Sequence, residues 1–317
     1  MIMAIAWRIT RRCNLGKCFF CRIGDKAKNS DGELSFEKVK DICSQYASSD
    51  YIDKGIKKIY FTGGEPFIRE DMADILNYIT VDLQIPASVV TNGTLINDNN
   101  IYSLKNSLID ISISLDGLED VHNNIRQSKV FNKTINTIAN LLENGITVDV
   151  LPTVTRCSYD SLLSDEFIRL LTKQLKGIRY IAFSQIFSLG YGKYWQSENV
   201  SKEKYKNLLQ YYKKIAIDFK VIERKPKPPS LRIDCYGNVH SLSEMEGIKE
   251  FIDGNLCKSS LDSLLFPPSF FWLFNKSRYS KERIILELAY CLKDCSNNEN
   301  NLSYRIIQQL NQDRYLA

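Results

Sequence analysis

Short segments of high β-propensity alternate with amphipathic helical segments over the first two thirds of the chain, and this alternation constrains the fold most. Six strands are predicted, at Ala4–Thr10, Lys58–Thr62, Ala87–Thr91, Ile109–Ser114, Thr147–Val154 and Arg179–Phe187. The predicted helices between them are Ser35–Ala47, Asp71–Ile79, Asn97–Leu104, Asn132–Glu143 and Leu162–Leu175. Strands that alternate with helices form parallel sheets through right-handed crossovers, so the sequence predicts an α/β fold.

Six strands are fewer than the eight of a closed barrel, so we predict a partial (β/α)6 TIM-like barrel over residues 1–192. The pattern then changes to a helix at Ser201–Ile217, a Pro-rich connector at 225–229 and short strands. These features predict a small C-terminal α+β domain over residues 193–317. Ligands of parallel folds gather at the carboxyl ends of the strands, so the residues that follow the strands are the first candidates for a site.

Composition disfavours several classes of function. A net charge of +5 over 317 residues is too small to argue for nucleic-acid binding, although it permits an anionic substrate. No apolar run approaches the ~20 residues that span a bilayer. The basic residues Arg11 and Arg12 follow the first apolar run, whereas a signal peptide has them before it. We therefore predict a cytoplasmic protein that binds neither nucleic acid nor membrane.

Three of the nine cysteines, Cys13, Cys18 and Cys21, follow the first strand with the spacing C-x4-C-x2-C. Clustered cysteines in a reducing compartment are more often metal ligands than disulfides. A structural zinc ion needs a fourth ligand, and no nearby Cys or His supplies one. Three thiolates suit three irons of a cubane cluster and leave the fourth iron open. Spacing alone leaves an iron–sulfur site and a zinc or structural role equally open.

Glycine-rich or polar turns follow the next three strands. These turns are Thr62-Gly63-Gly64-Glu65-Pro66, Thr91-Asn92-Gly93, and Ser114-Leu115-Asp116-Gly117 with His122 and Arg126 beyond it. Paired glycines let a backbone approach a ligand closely and expose its polar groups. Each turn alone is typical of an ordinary loop. Together with the cysteines after the first strand, however, they make four such features at successive strand ends, which indicates a site.

Together with Phe20 before the last cysteine, these motifs resemble the radical S-adenosylmethionine (SAM) superfamily. Within it they are similar to the branch of the molybdopterin-precursor enzyme and the SPASM/twitch-domain enzymes. The resemblance covers about residues 4–190, and the first cysteine gap is one residue longer than the usual C-x3-C-x2-C. It implies that Cys13, Cys18 and Cys21 bind a [4Fe–4S] cluster whose fourth iron is chelated by the amine and carboxylate of SAM.

The resemblance also implies the SAM contacts. The backbone of Gly63–Glu65 would hold the amine, Arg126 the carboxylate, and Thr91 and Ser114 the methionyl or ribose part, while Phe20 would lie beside the adenine. A one-electron donor such as flavodoxin or ferredoxin would reduce the cluster. SAM would then be cleaved to methionine and a 5′-deoxyadenosyl radical that abstracts a substrate hydrogen.

The segment at 231–239 with Gly254-Asn255-Leu256 is similar to the start of a SPASM or twitch domain, which holds auxiliary clusters. The usual first auxiliary cysteine would lie near Leu242 and is missing. Four cysteines could still form one further [4Fe–4S] cluster: Cys235, Cys257, Cys291 and Cys295. The alternative is a degenerate domain with buried thiols.

The predicted function is a radical SAM enzyme that acts on a small-molecule natural-product intermediate. Strand 1 begins almost at Met1, so we expect no separate N-terminal domain for peptide recognition. A peptide-modifying enzyme is the alternative within this class, and a non-catalytic metal-binding module is the alternative from another class. A molybdopterin-precursor role is disfavoured because the C-terminal cysteine trio and the terminal glycine pair of that family are not found.

Overall fold

The computed structural model describes residues 5–15, 18–23, 29–49, 58–188, 190–215, 218–224, 231–240 and 254–261. The strands are β1 Ile5–Thr10, β2 Ile59–Gly63, β3 Ala87–Thr91, β4 Ile109–Ile113, β5 Thr147–Val150, β6 Tyr180–Phe183, β7 Lys220–Glu223, β8 Leu231–Ile233, β9 Asn238–His240 and β10 Gly254–Asn255. The α-helices are α1 Phe36–Ser48, α2 Met72–Asn77, α3 Asp98–Leu104, α4 Glu119–Arg126, α5 Phe131–Glu143, α6 Tyr159–Leu163, α7 Asp165–Arg169 and α8 Lys202–Lys214.

The remaining helical turns are short. The π-helical segments Tyr78–Asp82 and Leu170–Gln174 extend α2 and α7, and 3₁₀ turns lie at Pro66–Ile68, Gly190–Tyr194 and Gln196–Glu198. Ser35 caps α1 as its sequence suggests, because its side chain accepts a hydrogen bond from the Lys38 backbone N–H. None of the helices in the described part of the chain is both long and apolar enough to cross a membrane.

The strands form one sheet in the order β10-β9-β8-β1-β2-β3-β4-β5-β6-β7. All neighbours from β8 to β7 are parallel, and β9 and β10 add antiparallel pairs at one edge. Within the described residues β7 and β8 do not pair with each other, so the barrel is open. The predicted partial α/β barrel is therefore confirmed.

The parallel part of the sheet is wider than the six strands predicted. β7 pairs with β6, and β8 pairs with β1 with Leu231 opposite Ile5. β7 gave little sequence signal because it is a short edge strand, Lys-Val-Ile-Glu, with a charge at each end. Both strands lie beyond residue 192 but join the main sheet. The domain boundary at residue 192 stays a prediction, since most residues beyond 240 are not described.

Two helical predictions differ from the structure. Helix α4 was not predicted. The helix predicted at Leu162–Leu175 is interrupted at Ser164, which ends α6 and then caps α7 by accepting a hydrogen bond from the Phe167 backbone N–H. A serine that competes for backbone donors in this way favours a helix start over a helix interior.

The two faces of the sheet have different surroundings. Alternate side chains, such as Trp7, Phe61 and Ile111, are fully buried in the core with the helices, and the rings of Trp7 and Phe61 stack at 5.9 Å. The opposite side, called the inner face, carries the intervening residues. On it Tyr60 is 37% and Ile222 is 39% exposed. The inner face is therefore partly open to solvent, as a substrate site requires.

An ion-pair network lies on the inner face towards the amino-terminal ends of the strands. Arg179 donates to both oxygens of the fully buried Asp149 at 2.8 and 2.6 Å, and it lies 3.0 Å from Asp110. Lys58 also pairs with Asp110 at 2.6 Å, and the Ser112 hydroxyl donates to Asp149 at 3.3 Å. The acidic and basic side chains at this end of the inner face therefore neutralise one another.

Candidate active site

The three predicted metal ligands lie on the cysteine loop, residues 11–23, of which 16 and 17 are not described. Cys18 is buried, and Cys13 and Cys21 are half-buried. No three Cys, His, Asp or Glu side chains of the described residues converge on a single ion position. Three thiols on one short loop are the donors that a [4Fe–4S] cluster with one open iron uses, so the chemistry of this donor set fits such a cluster.

Glu33, shortly before α1, fixes the start of the cysteine loop. Its Oε1 accepts hydrogen bonds from the Thr10 hydroxyl at 2.7 Å and the Arg11 backbone N–H at 3.0 Å. Its Oε2 lies 3.3 Å from Nε of Arg12, and the Glu33 side chain is only 3% exposed. This buried carboxylate directs the chain from β1 into the turn that carries Cys13.

Gly63 and Gly64 bring the end of β2 directly against the cysteine loop. The Gly64 N–H donates to the Thr10 carbonyl at 2.9 Å, and the next N–H donates to the Arg12 carbonyl at 2.8 Å. A Cβ on Gly64 would overlap the Arg12 carbonyl oxygen, and one on Gly63 would overlap the Thr10 carbonyl oxygen. The close approach that we predicted towards SAM is thus made to the chain's own loop, and the role of these residues towards SAM stays a prediction.

The Glu65 side chain is fully buried and joins the end of β2 to the end of β3. It accepts hydrogen bonds from the Thr91 hydroxyl at 2.6 Å and the Asn92 N–H at 2.8 Å. Burial raises the pKa of Glu65, and these donors and the Arg126 charge oppose the rise. The Thr91 hydroxyl also accepts from the Gly93 N–H at 2.9 Å. Glu65 and Thr91, both predicted to contact SAM, therefore have side chains that hydrogen-bond to other groups of the protein.

Asn14, directly after Cys13, is held by the turn that follows β3. The Asn92 side-chain amide donates to Asn14 Oδ1 at 3.0 Å, and the Asn14 amide donates to Thr94 Oγ1 at 2.8 Å. Asn92 Oδ1 in turn accepts from the Thr94 N–H and hydroxyl at 2.8 and 2.6 Å. Sequence analysis missed Asn14 and Thr94, because the partner of a loop amide has no local signal.

Arg126 is oriented by the buried carboxylate of Asp116. Asp116 Oδ2 accepts from Arg126 Nε at 2.7 Å, and its Oδ1 accepts from the Thr153 N–H at 2.9 Å. The guanidinium carbon lies 5.3 Å from the Phe20 ring centroid, and the Arg126 carbonyl oxygen is 4.0 Å from Cys18 Sγ. Burial lowers the pKa of Arg126, but Asp116 and then Cys18 raise it by more, so a charged guanidinium lies beside the cysteine loop.

His122 is a neutral ring that binds the backbone of Asp116. Its Nδ1 accepts a hydrogen bond from the Asp116 backbone N–H at 3.2 Å, which leaves the ring proton on Nε2. Burial lowers the pKa of His122 to about 4, against the opposing effect of the Asp116 carboxylate. These contacts support a structural role for His122 rather than acid–base chemistry.

Ser114 differs from Thr91 in its surroundings. It is half-buried, and its hydroxyl makes no hydrogen bond to the described residues, so it is available to a ligand.

Beside Cys18 lies a cavity of about 340 Å³, lined by Cys18, Phe19, Gln127, Tyr191 and Trp195. Phe19 packs against the rings of Phe20 and Trp195 at 5.2 and 4.9 Å.

The turn after β6 packs against the third cysteine. The Tyr191 N–H donates to the Cys21 carbonyl at 2.8 Å. Gly190, at φ +54°, lies so close to the cysteine loop that a Cβ would overlap the Arg22 carbonyl oxygen. The cysteine loop is therefore held by the turns after β2, β3 and β6 together.

Two of the four proposed auxiliary ligands are described. Cys235 follows β8 and is fully buried, and burial raises its pKa to about 11. Cys257 is exposed, with Sγ 3.9 Å from the Tyr236 carbonyl oxygen. Cys291 and Cys295 lie outside the described residues, so a second cluster stays a prediction.

The family model described as "Radical SAM superfamily" matches residues 7–184, which is more than half of the chain. The chain belongs to the radical SAM superfamily. This family uses a [4Fe–4S] cluster and SAM, and its members are enzymes, which overturns the alternative of a non-catalytic metal-binding module. Homologues include members of the SPASM subgroup, as the sequence motifs suggested.

Relatives of several activities match different lengths of the chain. Fe-coproporphyrin III synthase of Methanosarcina barkeri is 33% identical over an aligned segment that covers 48% of this chain and 37% of that protein. GTP 3′,8-cyclase of Clostridium perfringens is 26% identical over 75% of this chain and 71% of its own. The antilisterial bacteriocin subtilosin biosynthesis protein AlbA of Bacillus subtilis is 25% identical over 93% of this chain and 65% of its own.

Solved structures share the fold. SuiB of Streptococcus suis bound to SAM has a TM-score of 0.70 at 14% identity, over 89% of this chain and 70% of that one. The enzyme anSMEcpe with bound SAM has a TM-score of 0.65 at 18% identity, over 86% of this chain and 83% of that one. At these identities the likeness concerns the fold alone.

Gly64→Ala should lower the cluster content of the protein, because its Cβ would displace the Arg12 carbonyl and the loop that follows. Gly145→Ala is the control: its φ of +74° strains any side chain, but nothing lies within 4 Å of the new Cβ. Iron and sulfide per chain after anaerobic reconstitution measure the difference. Equal cluster content in the two variants would contradict a role of Gly64 in shaping the cysteine loop.

Proposed function

We propose that this enzyme cleaves SAM reductively at a cluster bound by Cys13, Cys18 and Cys21, and that the radical takes a hydrogen atom from a peptide on the inner face of the sheet. The observation that supports this most is the position of the cysteine loop. The turns after β2, β3 and β6 hold it at the carboxyl edge, next to an inner face that is partly open to solvent.

The residues around the cysteine loop suit the parts of SAM. When bound, the reduced cluster supplies the electron that splits SAM into methionine and a 5′-deoxyadenosyl radical. Arg126 donates its Nε to Asp116 and its side chain also interacts with Cys18, so the guanidinium lies beside both groups and its remaining N–H donors suit the carboxylate of SAM. We assign Phe20, a flat apolar surface, to the adenine, and the Ser114 hydroxyl to the ribose or methionyl part.

The turn Gly63–Glu65 suits the SAM amine through its carbonyl groups. The N–H groups of Gly64 and Glu65 already donate to the cysteine loop. An ammonium group needs acceptors, and backbone carbonyls are acceptors with two lone pairs each. The cluster also needs an external one-electron donor such as flavodoxin or ferredoxin.

A peptide is the substrate class that the comparisons favour. AlbA, named for bacteriocin biosynthesis, aligns over 93% of this chain, well beyond the residues of the family model. SuiB and anSMEcpe, which share the fold, have each been solved with a bound peptide. The small molecule predicted from the sequence is the second candidate, and GTP 3′,8-cyclase, which aligns over 75% of the chain, favours it.

Replacing Cys13, Cys18 or Cys21 singly by Ala should abolish 5′-deoxyadenosine formation under reductant and reduce bound iron. A cubane with three protein ligands does not tolerate the loss of one. Cys157→Ala is the matched control, since Cys157 is an exposed free thiol after β5 and should keep both iron and SAM cleavage. Undiminished 5′-deoxyadenosine in any of the three variants would refute the ligand assignment.

Arg126→Gln should weaken SAM binding by roughly tenfold or more, because a charge-assisted hydrogen bond contributes about 1.5–3 kcal/mol. Iron content should not change. Arg126→Lys keeps a charge beside Asp116 and serves if the glutamine variant does not fold. Arg156→Gln, an exposed arginine after β5, is the control. Titration of the reconstituted protein with SAM measures the affinity, and unchanged affinity in Arg126→Gln would remove this contact from the site.

Hydrogen abstraction from a peptide should transfer deuterium to 5′-deoxyadenosine. The reconstituted enzyme with SAM and reductant is incubated in one arm with peptides from a digest of perdeuterated protein, and in another with perdeuterated sugars and nucleosides. Mass spectrometry of 5′-deoxyadenosine should find deuterium in the peptide arm only, and Cys18→Ala should yield none. Deuterium in the small-molecule arm alone would establish the second candidate instead.

A further inference from the structure

Two arginines lie near the carboxyl edge beside β6 and β7, and the charge of each acts on the other. Arg22 directly follows the third cysteine of the loop, and its guanidinium carbon lies 4.6 Å from the ring centroid of Phe187, after β6. Arg224 directly follows β7, and its N–H donates to the Phe183 carbonyl at 2.7 Å. Because Phe183 pairs with Glu223 across the two strands, the residues that follow them are neighbours.

Arg224 continues the inner face of the sheet. Side chains alternate along a strand, so Lys220, Ile222 and Arg224 share one side of β7. Lys220 lies opposite Tyr180 and Ile222 lies opposite Ala182 in the register of β6. Tyr180 belongs to the inner face, where it interacts with the Asp149 carboxylate. Arg224 is therefore the last of the inner-face residues along this strand, and it lies at the carboxyl edge of the sheet, which also carries the cysteine loop.

Arg224 has no carboxylate partner among the described residues. The groups that act on its charge are Arg22 and the Tyr180 phenol, and burial followed by Arg22 lowers the pKa of Arg224 to about 10. It still carries a full charge at neutral pH. The cations deeper in the sheet differ, because Arg179 and Lys58 each contact a carboxylate at 2.6 Å. A ligand anion between the two arginines would remove their repulsion.

We propose that Arg224, with Arg22 beside it, binds a carboxylate of the peptide substrate. A guanidinium recognises a carboxylate through two parallel hydrogen bonds, which fix both position and orientation. Since Arg22 adjoins Cys21, a carboxylate held here would place the neighbouring part of the peptide close to the site where the radical forms. This inference rests on the proposed function and adds to it the charge of the substrate.

The test is selection of peptides by the enzyme reconstituted with cluster and SAM. The immobilised protein is equilibrated with a short randomised peptide library amidated at the C-terminus, and retained peptides are sequenced by mass spectrometry. Asp and Glu should be enriched over Asn and Gln by roughly tenfold at one position, the ratio for about 1.4 kcal/mol. A second library with free C-termini and no acidic residues identifies a terminal carboxylate as the alternative source.

Three variants make the selection specific. Arg224→Gln should lose the preference for acidic peptides, and Arg224→Lys should keep part of it. Lys220→Gln removes the same charge from an exposed position on the same strand and should keep all of it. The proposal is overturned if the first library shows no acidic enrichment and the free C-termini of the second library are not retained over amidated ones. Full acidic enrichment in Arg224→Gln would overturn it as well.

Stability and SAM cleavage distinguish a failure of the carboxylate subsite from a failure of the fold or of the proposed function. Arg224→Gln should not lower the denaturation midpoint, since Arg224 pairs with no carboxylate in the described part of the chain. A large decrease would indicate a structural role and overturn the proposal. Substrate-independent 5′-deoxyadenosine formation is measured in parallel. If it is normal but acidic peptides are not preferred, only the carboxylate subsite fails. If deuterated peptides transfer no label, the peptide substrate itself fails.

Discussion

The close approach of the glycine turn after β2 to the chain that leaves β1 is the constraint on which the rest of the site depends. The backbone hydrogen bonds from Gly64 to Thr10 and from Glu65 to Arg12 continue the pairing of two parallel strands beyond their ends. A loop of three cysteines would otherwise have many conformations, and ordering each residue costs about 1–2 kcal/mol. The glycine turn, Asn92 and Gly190 each remove part of that freedom before any cluster binds.

Stability and function occupy opposite ends of the inner face. Towards the amino-terminal ends of the strands, Asp110 and Asp149 neutralise Lys58 and Arg179, so that end is closed by its own ion pairs. At the carboxyl ends, Arg126 has a carboxylate partner on one side only, and Arg224 has none among the described residues. A partly buried cation without a carboxylate partner, such as Arg224, is costly for the fold alone and is expected where a ligand supplies the anion.

The sequence predicted the first six strands, because each is a short local segment rich in β-branched or aromatic residues. The roles of the site residues towards SAM stay predictions. It did not predict β7, since a short charged edge strand has no such run. It did not predict that Gly63 and Gly64 bring the end of β2 against the chain's own cysteine loop, and their role towards SAM stays a prediction. Partners far apart in sequence, such as Asn14 with Asn92 or Asp116 with Thr153, follow from the fold and from no local pattern.

Asp116 links the SAM side of the site to the cluster side. It joins the end of β4 to the segment after β5 through Thr153, and it orients Arg126, which contacts both Phe20 and Cys18. The carboxylate is fully buried, so its cost is offset only while Arg126 stays beside it. In the proposed function this pairing would hold Arg126 in place, and so would keep the carboxylate of SAM and the second cysteine in a fixed relation. Such preorganisation matters in radical chemistry, because the protein's main contributions there are placement of the reactants and exclusion of water.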